Sequence, residues 1–304
     1  MAGNDLNPGF RCGYVALVGR PNVGKSTLLN RILGQKISIT SRRPQTTRHR
    51  ILGIKTGPSV QTVYVDTPGI HAYSGRAMNR HMNRAASNAL QEVDVVVFLV
   101  EGLRWLPDDE LVLDKIRRMN APVVLAVNKV DLVSNKEELL PVLQDLSEKY
   151  PFKQIIPVSA TSGENLAALE SCIESLLPEA PPFFPEDQVT DRSERFLVAE
   201  LVREKLFRKL GKELPYGLSV EIEQFRSEPR ITTIHALIWV ERQSQKNIVI
   251  GRQGRVLKEV GSLARKDIEA LLGNRINLKQ WVKVKEGWAD NEQALRSLGY
   301  TDKD

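Results

Sequence analysis

The sequence predicts an α/β domain with a mostly parallel sheet, followed by a smaller α+β domain. Between Gly13 and Leu177, short runs rich in valine alternate with helical segments of about 10–15 residues, as in βαβ units. Beyond residue 190 the order changes to α-β-β-α-β, which indicates a second compact domain of another class. Four prolines within Leu177–Pro185 separate the two patterns.

The proline-rich stretch predicts a linker, because proline can continue neither a helix nor a central strand. We therefore expect a first domain at residues 1–180, a linker at 181–190, and a second domain with a C-terminal tail at 191–304.

Five runs in the first domain predict strands that are buried on both faces, since they are continuously apolar and β-branched. They are Tyr14–Val18, Thr62–Val65, Val95–Val100, Val123–Val127 and Ile155–Val158.

The second domain begins with an amphipathic helix and continues with two alternating segments. A short apolar run, a glycine turn, a long helix and a last strand follow. We expect Trp239 and Trp281, which fall in predicted strands, to belong to the core. The predicted elements are Glu194–Leu210, Leu218–Phe225, Ile231–Val240, a short strand ending at Ile250, Arg255–Leu272 and Ile276–Val284.

Composition is that of a globular chain: 41% hydrophobic residues, 26% charged residues and a net charge of +6. The two cysteines form no disulfide framework, and the four histidines have no zinc-ligand spacing. The N-terminal residues are polar, without an apolar signal region. We therefore expect a cytoplasmic protein.

A phosphate-binding loop follows the first strand, in the run Gly19-Arg-Pro-Asn-Val-Gly-Lys-Ser26. Its glycines let backbone N–H groups surround phosphates, and the following helix adds its positive N-terminal end. Lys25 then reaches the β- and γ-phosphates, and the Ser26 hydroxyl binds Mg²⁺.

Asp66-Thr-Pro-Gly69 ends the second predicted strand, where the carboxylate can reach the metal through a water molecule. Gly69 has no side chain, so its backbone N–H can approach a γ-phosphate. The intervening segment Lys36–Lys55 carries six basic residues and no acidic one, and either Thr46 or Thr47 could complete the Mg²⁺ shell.

Base selection is predicted at Asn128-Lys129-Val130-Asp131, directly after the fourth predicted strand. Asp131 can accept hydrogen bonds from N1–H and the 2-amino group of guanine, which adenine does not present. Asn128 would brace the site, Lys129 would lie along the base, and Ser159 with Ala160 would close the pocket.

In this order, the motifs resemble the GTPase superfamily, and the runs Gly19–Thr27, Gln45–His49 and Asp66–Gly69 are similar to its Era branch. The resemblance implies GTP or GDP with Mg²⁺, and catalytic roles for Lys25, Thr47, Asp66 and Gly69. The implied metal ligands are Ser26, Thr47 and Asp66. The implied nucleotide-binding residues are Gly19, Asn22, Val23, Gly24, Lys25, Ser26, Thr27, Asn128, Lys129, Asp131, Ser159 and Ala160.

Ile70 stands where Ras-like proteins carry the glutamine that orients the attacking water. Slow intrinsic hydrolysis is therefore expected. In related GTPases the asparagine that matches Asn22 ligates K⁺, so the resemblance also implies a K⁺ ion.

The second domain contains Gly251-Arg-Gln-Gly254 before its long helix, within a strongly basic region. From residue 242 to 285 there are eleven Lys or Arg and three acidic residues, a local charge of +8. A GxxG turn in such a context brings the backbone against about four nucleotides in a KH module.

This domain resembles the prokaryotic-type KH domain of Era proteins. The resemblance implies binding to the 3′ end of 16S-type ribosomal RNA during 30S subunit assembly, weak peripheral membrane association and a monomeric state. The implied RNA-binding residues are Ile250, Gly251, Arg252, Gln253, Gly254, Arg255 and Lys258.

Two other classes of protein remain open from the residues. One is an RNA-binding assembly factor that binds GTP and barely hydrolyses it, which the isoleucine at position 70 favours. The other is an ATPase or nucleotide kinase, in which replacing Asp131 by asparagine would leave ATP binding unaffected.

Overall fold

The computed structural model describes residues 9–41, 46–68, 78, 82, 93–211, 217–291, 293 and 295. They form two compact units. The first contains the described residues within Met1–Ser38, Thr47–Tyr73 and Met82–Asp191. The second contains those within Ile39–Thr46, Ser74–His81 and Arg192–Asp304.

The first unit is an α/β fold around a six-stranded sheet, as the sequence predicts. Its strands are β1 (Arg11–Val18), β2 (Ile51–Thr56), β3 (Val60–Asp66), β4 (Val95–Glu101), β5 (Val123–Asn128) and β6 (Gln154–Pro157). Its helices whose residues are all described are α1 (Lys25–Leu33), α2 (Pro107–Ile116), α3 (Leu139–Lys149) and α4 (Leu166–Leu176).

The strand order is β2-β3-β1-β4-β5-β6, and every neighbouring pair is parallel except β2 with β3. β1, β4 and β5 lie in the middle, with β4 and β5 almost completely buried, because helices cover both faces of a parallel sheet. The carboxyl ends of β1, β3, β4 and β5 therefore meet along one edge, where ligands bind in such sheets.

The sequence analysis missed β2, whose residues lie in the predicted basic segment Lys36–Lys55. β2 is an antiparallel edge strand next to β3, and Gly53 interrupts the apolar, β-branched pattern that would predict a strand. A Cβ at Gly53 would lie 2.6 Å from a Leu29 side-chain carbon, so helix α1 packs directly on this backbone.

Residues 181–190 group with the first unit, although they contain neither helix nor strand. The buried Gln61 side chain on β3 accepts hydrogen bonds from the backbone N–H groups of Phe183 (2.8 Å) and Phe184 (3.0 Å). Its amide nitrogen donates to the Phe184 carbonyl (2.8 Å), and the Phe183 ring stacks on Tyr14. The proline-rich stretch is thus bound along the sheet of the first unit.

In the second unit, three helices whose residues are all described pack on one face of a three-stranded sheet. Its elements are α5 (Glu194–Lys209), β7 (Leu218–Ser227), β8 (Ile231–Val240), α6 (Gln243–Ile250), α7 (Arg255–Leu272) and β9 (Arg275–Val284). The sheet order is β7-β8-β9, antiparallel and then parallel. This α+β arrangement agrees with the predicted fold class.

The predicted short strand before the glycine turn is wrong, because these residues belong to helix α6. The Gln245 side chain accepts hydrogen bonds from the backbone N–H groups of Glu241 and Arg242, which caps the helix start. Val249 is fully buried in the core of the unit. The strand propensity of Ile248, Val249 and Ile250 is small compared with the stabilisation that the helix gains from its cap and from packing of Val249 in the core.

The expected core positions of Trp239 and Trp281 are also wrong, although both lie in strands. Even-numbered β8 residues such as Ile234 and Ile238 face the helices and are buried. Trp239 and Trp281 are odd-numbered, partly buried, and lie on the sheet face away from the helices.

Helix α5 carries several buried charged residues as well as apolar ones. The Glu204 carboxylate is fully buried and accepts a hydrogen bond from the Thr40 backbone N–H at 3.0 Å. Arg208 donates to the Thr40 carbonyl at 3.1 Å. These contacts are why the described residues of 39–46 group with the second unit.

Among the helices formed by the described residues, none is both long enough and apolar enough to cross a membrane.

Candidate nucleotide-binding site and glycine turn

The phosphate-binding loop connects β1 to α1 and depends on unusual backbone conformations. Gly19 has φ +154°, Asn22 φ +66° and Gly24 φ +107°. A Cβ at Gly24 would lie 2.2 Å from the Asn128 side-chain nitrogen, and one at Gly19 would lie 2.5 Å from the Leu99 carbonyl oxygen. Glycine is therefore required at both positions, and the loop lies against β4 and β5.

The Lys25 side chain is folded into this loop. Its Nζ donates to the carbonyl oxygens of Gly19 (2.9 Å) and Arg20 (3.1 Å). Burial lowers the pKa of Lys25 to about 8, partly offset by the nearby negative charge of Asp66. A phosphate group would restore full protonation, because it supplies the negative charge that the loop lacks.

Oxygen atoms from three segments converge beside the loop. The Ser26 hydroxyl donates to an Asp66 carboxylate oxygen, Oδ2, at 2.7 Å, and Thr47 Oγ1 lies 2.9 Å from Ser26 Oγ. Ser38 also donates to the same Asp66 oxygen at 2.8 Å. Burial raises the pKa of Asp66, which has no hydrogen-bond partner for Oδ1 among the described residues.

These atoms fit a magnesium ion, which prefers hydroxyl, carboxylate and water oxygens. The unpartnered Asp66 Oδ1 is the atom that a cation or its water would satisfy. The two candidate threonines differ here: the Thr46 hydroxyl donates to Ser41 Oγ, whereas the Thr47 hydroxyl contacts Ser26.

Asn128 joins the phosphate loop to the end of β6. Its buried side-chain nitrogen donates to the Val23 carbonyl (2.7 Å), and its oxygen accepts from the Ala160 backbone N–H (2.9 Å). Asn128 thus braces three segments at once, in the role that the sequence predicts.

Lys129 and Asp131 follow in a tight turn at the end of β5. Lys129 adopts a left-handed conformation, φ +64°, and its Nζ lies 3.1 Å from a Glu101 carboxylate oxygen. Asp131 is exposed at the start of a short 3₁₀ turn, where it can meet a base.

Ser159 and Ala160 lie beside this turn, and both are buried. The Ser159 hydroxyl oxygen accepts a hydrogen bond from the Ser162 backbone N–H at 3.0 Å. The structure therefore brings together the predicted site residues that it describes in the first unit. Gly69 and Ile70 lie outside the described residues.

Sequence reasoning missed a charged network behind the loop. Arg20 Nη2 lies 2.7 Å from Glu101 Oε2, and Arg20 Nε lies 3.2 Å from the buried Asp109 Oδ2. Burial opposes ionisation of Glu101, but hydrogen bonds from Lys129 and Arg20 outweigh it and lower its pKa. Glu101 thereby links the phosphate loop to the base-specificity turn; no motif marks it, and only its position at the end of β4 could have suggested it.

In the second unit, the Gly251–Gly254 turn joins α6 to α7. Gly251 has φ +72° and ψ +171°, and a Cβ there would lie 2.5 Å from a Val256 methyl carbon. Gly254 has φ +74°, and Gln253 between them has φ +53°. Arg252, Gln253, Arg255 and Lys258 are exposed, whereas Ile250 is partly buried.

Two family models match the chain. A model described as "50S ribosome-binding GTPase" matches residues 14–129, and a KH-domain model matches residues 213–289.

Curated relatives match almost the whole chain. GTPase Era of Pseudomonas aeruginosa (strain LESB58) is 58% identical over 299 residues, covering 98% of each chain. GTPase Era of Glaesserella parasuis serovar 5 is 59% identical over 292 residues, covering 96% of this chain and 97% of the relative.

Two solved structures are similar over both units, each with a TM-score of 0.92. One is a variant of Aquifex aeolicus Era bound to GDP and AlF4⁻, 38% identical, covering 96% of this chain and all of the other. The second is Era in complex with MgGDPNP and nucleotides 1506–1542 of 16S ribosomal RNA, 39% identical, covering 96% of this chain and 99% of the other. With this identity along its whole length, and with the phosphate loop, base-specificity turn and GxxG turn in place, the chain belongs to the Era family of GTPases, and it binds and hydrolyses GTP.

Proposed function

We propose that this GTPase binds the 3′ region of small-subunit ribosomal RNA through its KH turn and acts in assembly of the 30S subunit. The observation that carries the proposal is the Gly251–Gly254 turn, whose middle residues Arg252 and Gln253 are exposed. The Era structure with MgGDPNP and a 16S fragment supports the same assignment. Nucleotide state then controls when RNA is bound.

We assign the chemistry to residues of the first unit. Lys25 exchanges its two carbonyl partners for β- and γ-phosphate oxygens, and the loop N–H groups from Gly19 to Thr27 bind the phosphates. Ser26, Thr47 and Asp66 would hold Mg²⁺, whose positive charge would stabilise negative charge on the phosphate oxygens. Gly69 offers its N–H to the γ-phosphate, and Ile70 has no polar group to orient water, so the intrinsic rate is slow.

Asp131 selects guanine by accepting from N1–H and the 2-amino group. We expect Asp131→Asn to lower GTP affinity by about a hundredfold or more, because the asparagine NH₂ would face the guanine donors. Competition of GTP and ATP against a fluorescent GDP analogue measures this. Equal GTP affinity in Asp131→Asn and parent would contradict the assignment.

The RNA assignment is tested by adding negative charge to the turn. We expect Arg252→Glu with Gln253→Glu to weaken binding of a 16S 3′-end oligonucleotide at least tenfold, since phosphates would meet two carboxylates. This double substitution changes the net charge by −3, and a control with Lys153→Glu and Arg118→Gln makes the same change of −3 on exposed residues of the first unit. If control and turn variant lose the same affinity, the turn is not the contact.

We also propose that K⁺ binds at Asn22 and stimulates hydrolysis. Asn22 belongs to the phosphate loop and has a left-handed backbone conformation, and its side chain carries a carbonyl oxygen that K⁺ could bind. Hydrolysis should be faster in KCl than in NaCl, and Asn22→Gly, which keeps the backbone conformation accessible, should abolish the difference. An unchanged K⁺ response in Asn22→Gly would overturn the proposal.

Two further expectations complete the proposed function. The chain is a monomer, to be checked by light scattering after size exclusion. It associates weakly with anionic membranes through its basic segments, to be checked by flotation with vesicles that contain anionic lipid.

A further inference from the structure

On the sheet of the second unit, the fully described helices α5, α6 and α7 pack on one face and leave the other without a helix among the described residues. Leu237 lies on that other face and is nevertheless buried. We define the open sheet face by the odd-numbered residues of β8 and β9, together with Glu221 and Glu223 of β7. Strand alternation places it opposite the core, since Ile234, Ile238 and Val282 point to the helices. The Gly251–Gly254 turn joins two helices on the covered side, so the open sheet face is a separate surface.

Two tryptophans dominate this face. In the register of β8 with β9, Leu237 pairs with Trp281 and Trp239 pairs with Lys283, so the two indoles are diagonal neighbours. Both rings are fixed at their edges: Trp239 Nε1 donates to Glu221 Oε2 (2.9 Å), and Trp281 Nε1 donates to Glu223 Oε2 (3.1 Å). These hydrogen bonds hold the ring edges in place, and the His235 ring also packs against Trp281, with the ring centres 5.2 Å apart.

Basic side chains surround these rings. Lys283 Nζ and Lys285 Nζ lie 5.9 Å and 5.7 Å from the Trp239 ring centre. Lys279 and Arg275 continue the same side of β9 and are exposed. β9 contains no acidic residue, and the two carboxylates on β7 are already bound to the indole N–H groups.

Seven of the eleven basic residues between positions 242 and 285 lie on two separate surfaces. Arg252, Arg255 and Lys258 lie at the glycine turn and the start of α7, whereas Arg275, Lys279, Lys283 and Lys285 lie along β9 and directly after it.

We infer that the open sheet face is a second binding surface for single-stranded RNA, with bases stacked on Trp239 and Trp281 and phosphates bound by Arg275, Lys279 and Lys285. Aromatic rings interleaved with basic side chains on a sheet are the chemistry that binds unpaired bases and their phosphates together. Bases inside a duplex cannot stack on these rings because both of their faces are already stacked on neighbouring base pairs. The inference rests on the proposed function, since it extends the RNA contact beyond the nucleotides at the glycine turn.

The test compares two RNA lengths on the full chain. A 6-nucleotide probe suits the glycine turn, which holds about four nucleotides, and a 20-nucleotide single strand can reach both surfaces. We expect Arg275→Gln with Lys279→Gln to bind the 20-mer about tenfold more weakly and the 6-mer as tightly as the parent. The slope of log affinity against log salt should fall by about 1.4 for the 20-mer, since each phosphate contact on a single strand contributes about 0.7.

Lys153→Gln with Arg118→Gln is the matched control, because it removes two exposed basic residues from the first unit. It should leave both the affinity and the salt slope for the 20-mer unchanged. If the control and the β9 variant lose the same affinity for the 20-mer, the effect comes from the overall charge of the chain, and the inference is wrong.

Stacking has its own readout, in variants that keep an aromatic ring in the sheet. The 20-mer should quench tryptophan fluorescence in the parent, and Trp239→Phe with Trp281→Phe should remove most of that quenching. The inference is wrong if the 20-mer does not quench the fluorescence of the parent, or if a 20-base-pair duplex quenches it equally. It is also wrong if the parent binds an acidic peptide more tightly than the 20-mer.

The two proposals fail separately. If the parent does not bind the 6-mer, RNA binding at the glycine turn is refuted. If the β9 variant binds the 20-mer as tightly as the parent, only RNA binding by the open sheet face is refuted.

Discussion

Lys25 shows how a single residue is prepared for its ligand. Its ammonium group is buried and held by two carbonyl oxygens, and burial lowers its pKa to about 8. Burying a cation without a full counter-charge is unfavourable, so the Lys25 ammonium lowers the free energy of unfolding of the nucleotide-free protein. A bound phosphate would remove this penalty. The site thus gives up some stability of the free protein for affinity toward phosphate.

This cost predicts a pH dependence in the nucleotide-free protein. The folded-state pKa lies below the unfolded value of 10.5, so protonated Lys25 destabilises the fold at pH 7, and the penalty fades as pH rises from about 8 toward 10.5. We expect the parent to gain about 2 kcal/mol relative to Lys25→Met between pH 7 and pH 9.5. Urea unfolding of the parent and of Lys25→Met at the two pH values measures this gain. If the difference in free energy of unfolding between the two proteins is the same at both pH values, the lowered pKa of Lys25 is not its cause.

At the scale of elements, the loop between β1 and α1 depends on glycines for two different reasons. Gly24 is needed both for its positive φ and because the Asn128 side chain occupies the space of a Cβ. Gly34 caps the other end of α1 with φ +69°, and no other group lies within 4 Å of a Cβ there. The same helix therefore supplies a test and its control.

Gly24→Ala should abolish tight GDP binding and destabilise the protein by more than about 2 kcal/mol, because it displaces a buried side chain and strains the backbone. Gly34→Ala should cost only about 1 kcal/mol and leave GDP affinity intact. Fluorescent GDP titration and urea unfolding measure both. Comparable GDP affinities in the two variants would show that the Asn128 contact is unimportant.

The glycine turn of the second unit makes the same distinction. Gly251 adopts a φ and ψ that only glycine tolerates, against Val256, whereas Gly254 faces open space. We expect Gly251→Ala to lower the free energy of unfolding by about 2–4 kcal/mol and Gly254→Ala by about 1 kcal/mol. Thermal unfolding of the two variants checks the order, and the reverse order would contradict it.

For the whole molecule, the net charge of +6 conceals a strongly uneven distribution. Residues 36–55 carry +6 and residues 242–285 carry +8, so the rest of the chain is net acidic. A cationic surface that binds phosphates releases counterions, which makes affinity depend on salt.

Contacts to four phosphates at the glycine turn predict that affinity for a short single strand falls about 50-fold between 50 and 200 mM salt. Filter binding or fluorescence anisotropy across that range measures the slope. Thermal unfolding in the same buffers is the control for loss of folded protein. An RNA affinity that does not change with salt concentration would contradict phosphate binding by the basic surface.

The sequence by itself determined the fold class, the positions of five strands along the chain and the nucleotide motifs, although β6 is only partly buried because it is an edge strand. These features depend on local patterns: continuous β-branched runs, glycines at fixed spacing, and polar side chains directly after a strand. The comparisons confirm the family that those motifs indicate.

Only the tertiary structure decided the features that depend on which residues meet in space. It placed the Thr47 hydroxyl beside Ser26, brought Glu101 between Arg20 and Lys129, turned the run before Gly251 into a helix, and put Trp239 and Trp281 on the uncovered sheet face. Residues up to 81 positions apart make these contacts, and alternation along a strand does not say which of two faces the helices will cover. Packing makes that choice, because one face of the sheet must bury the apolar sides of three helices.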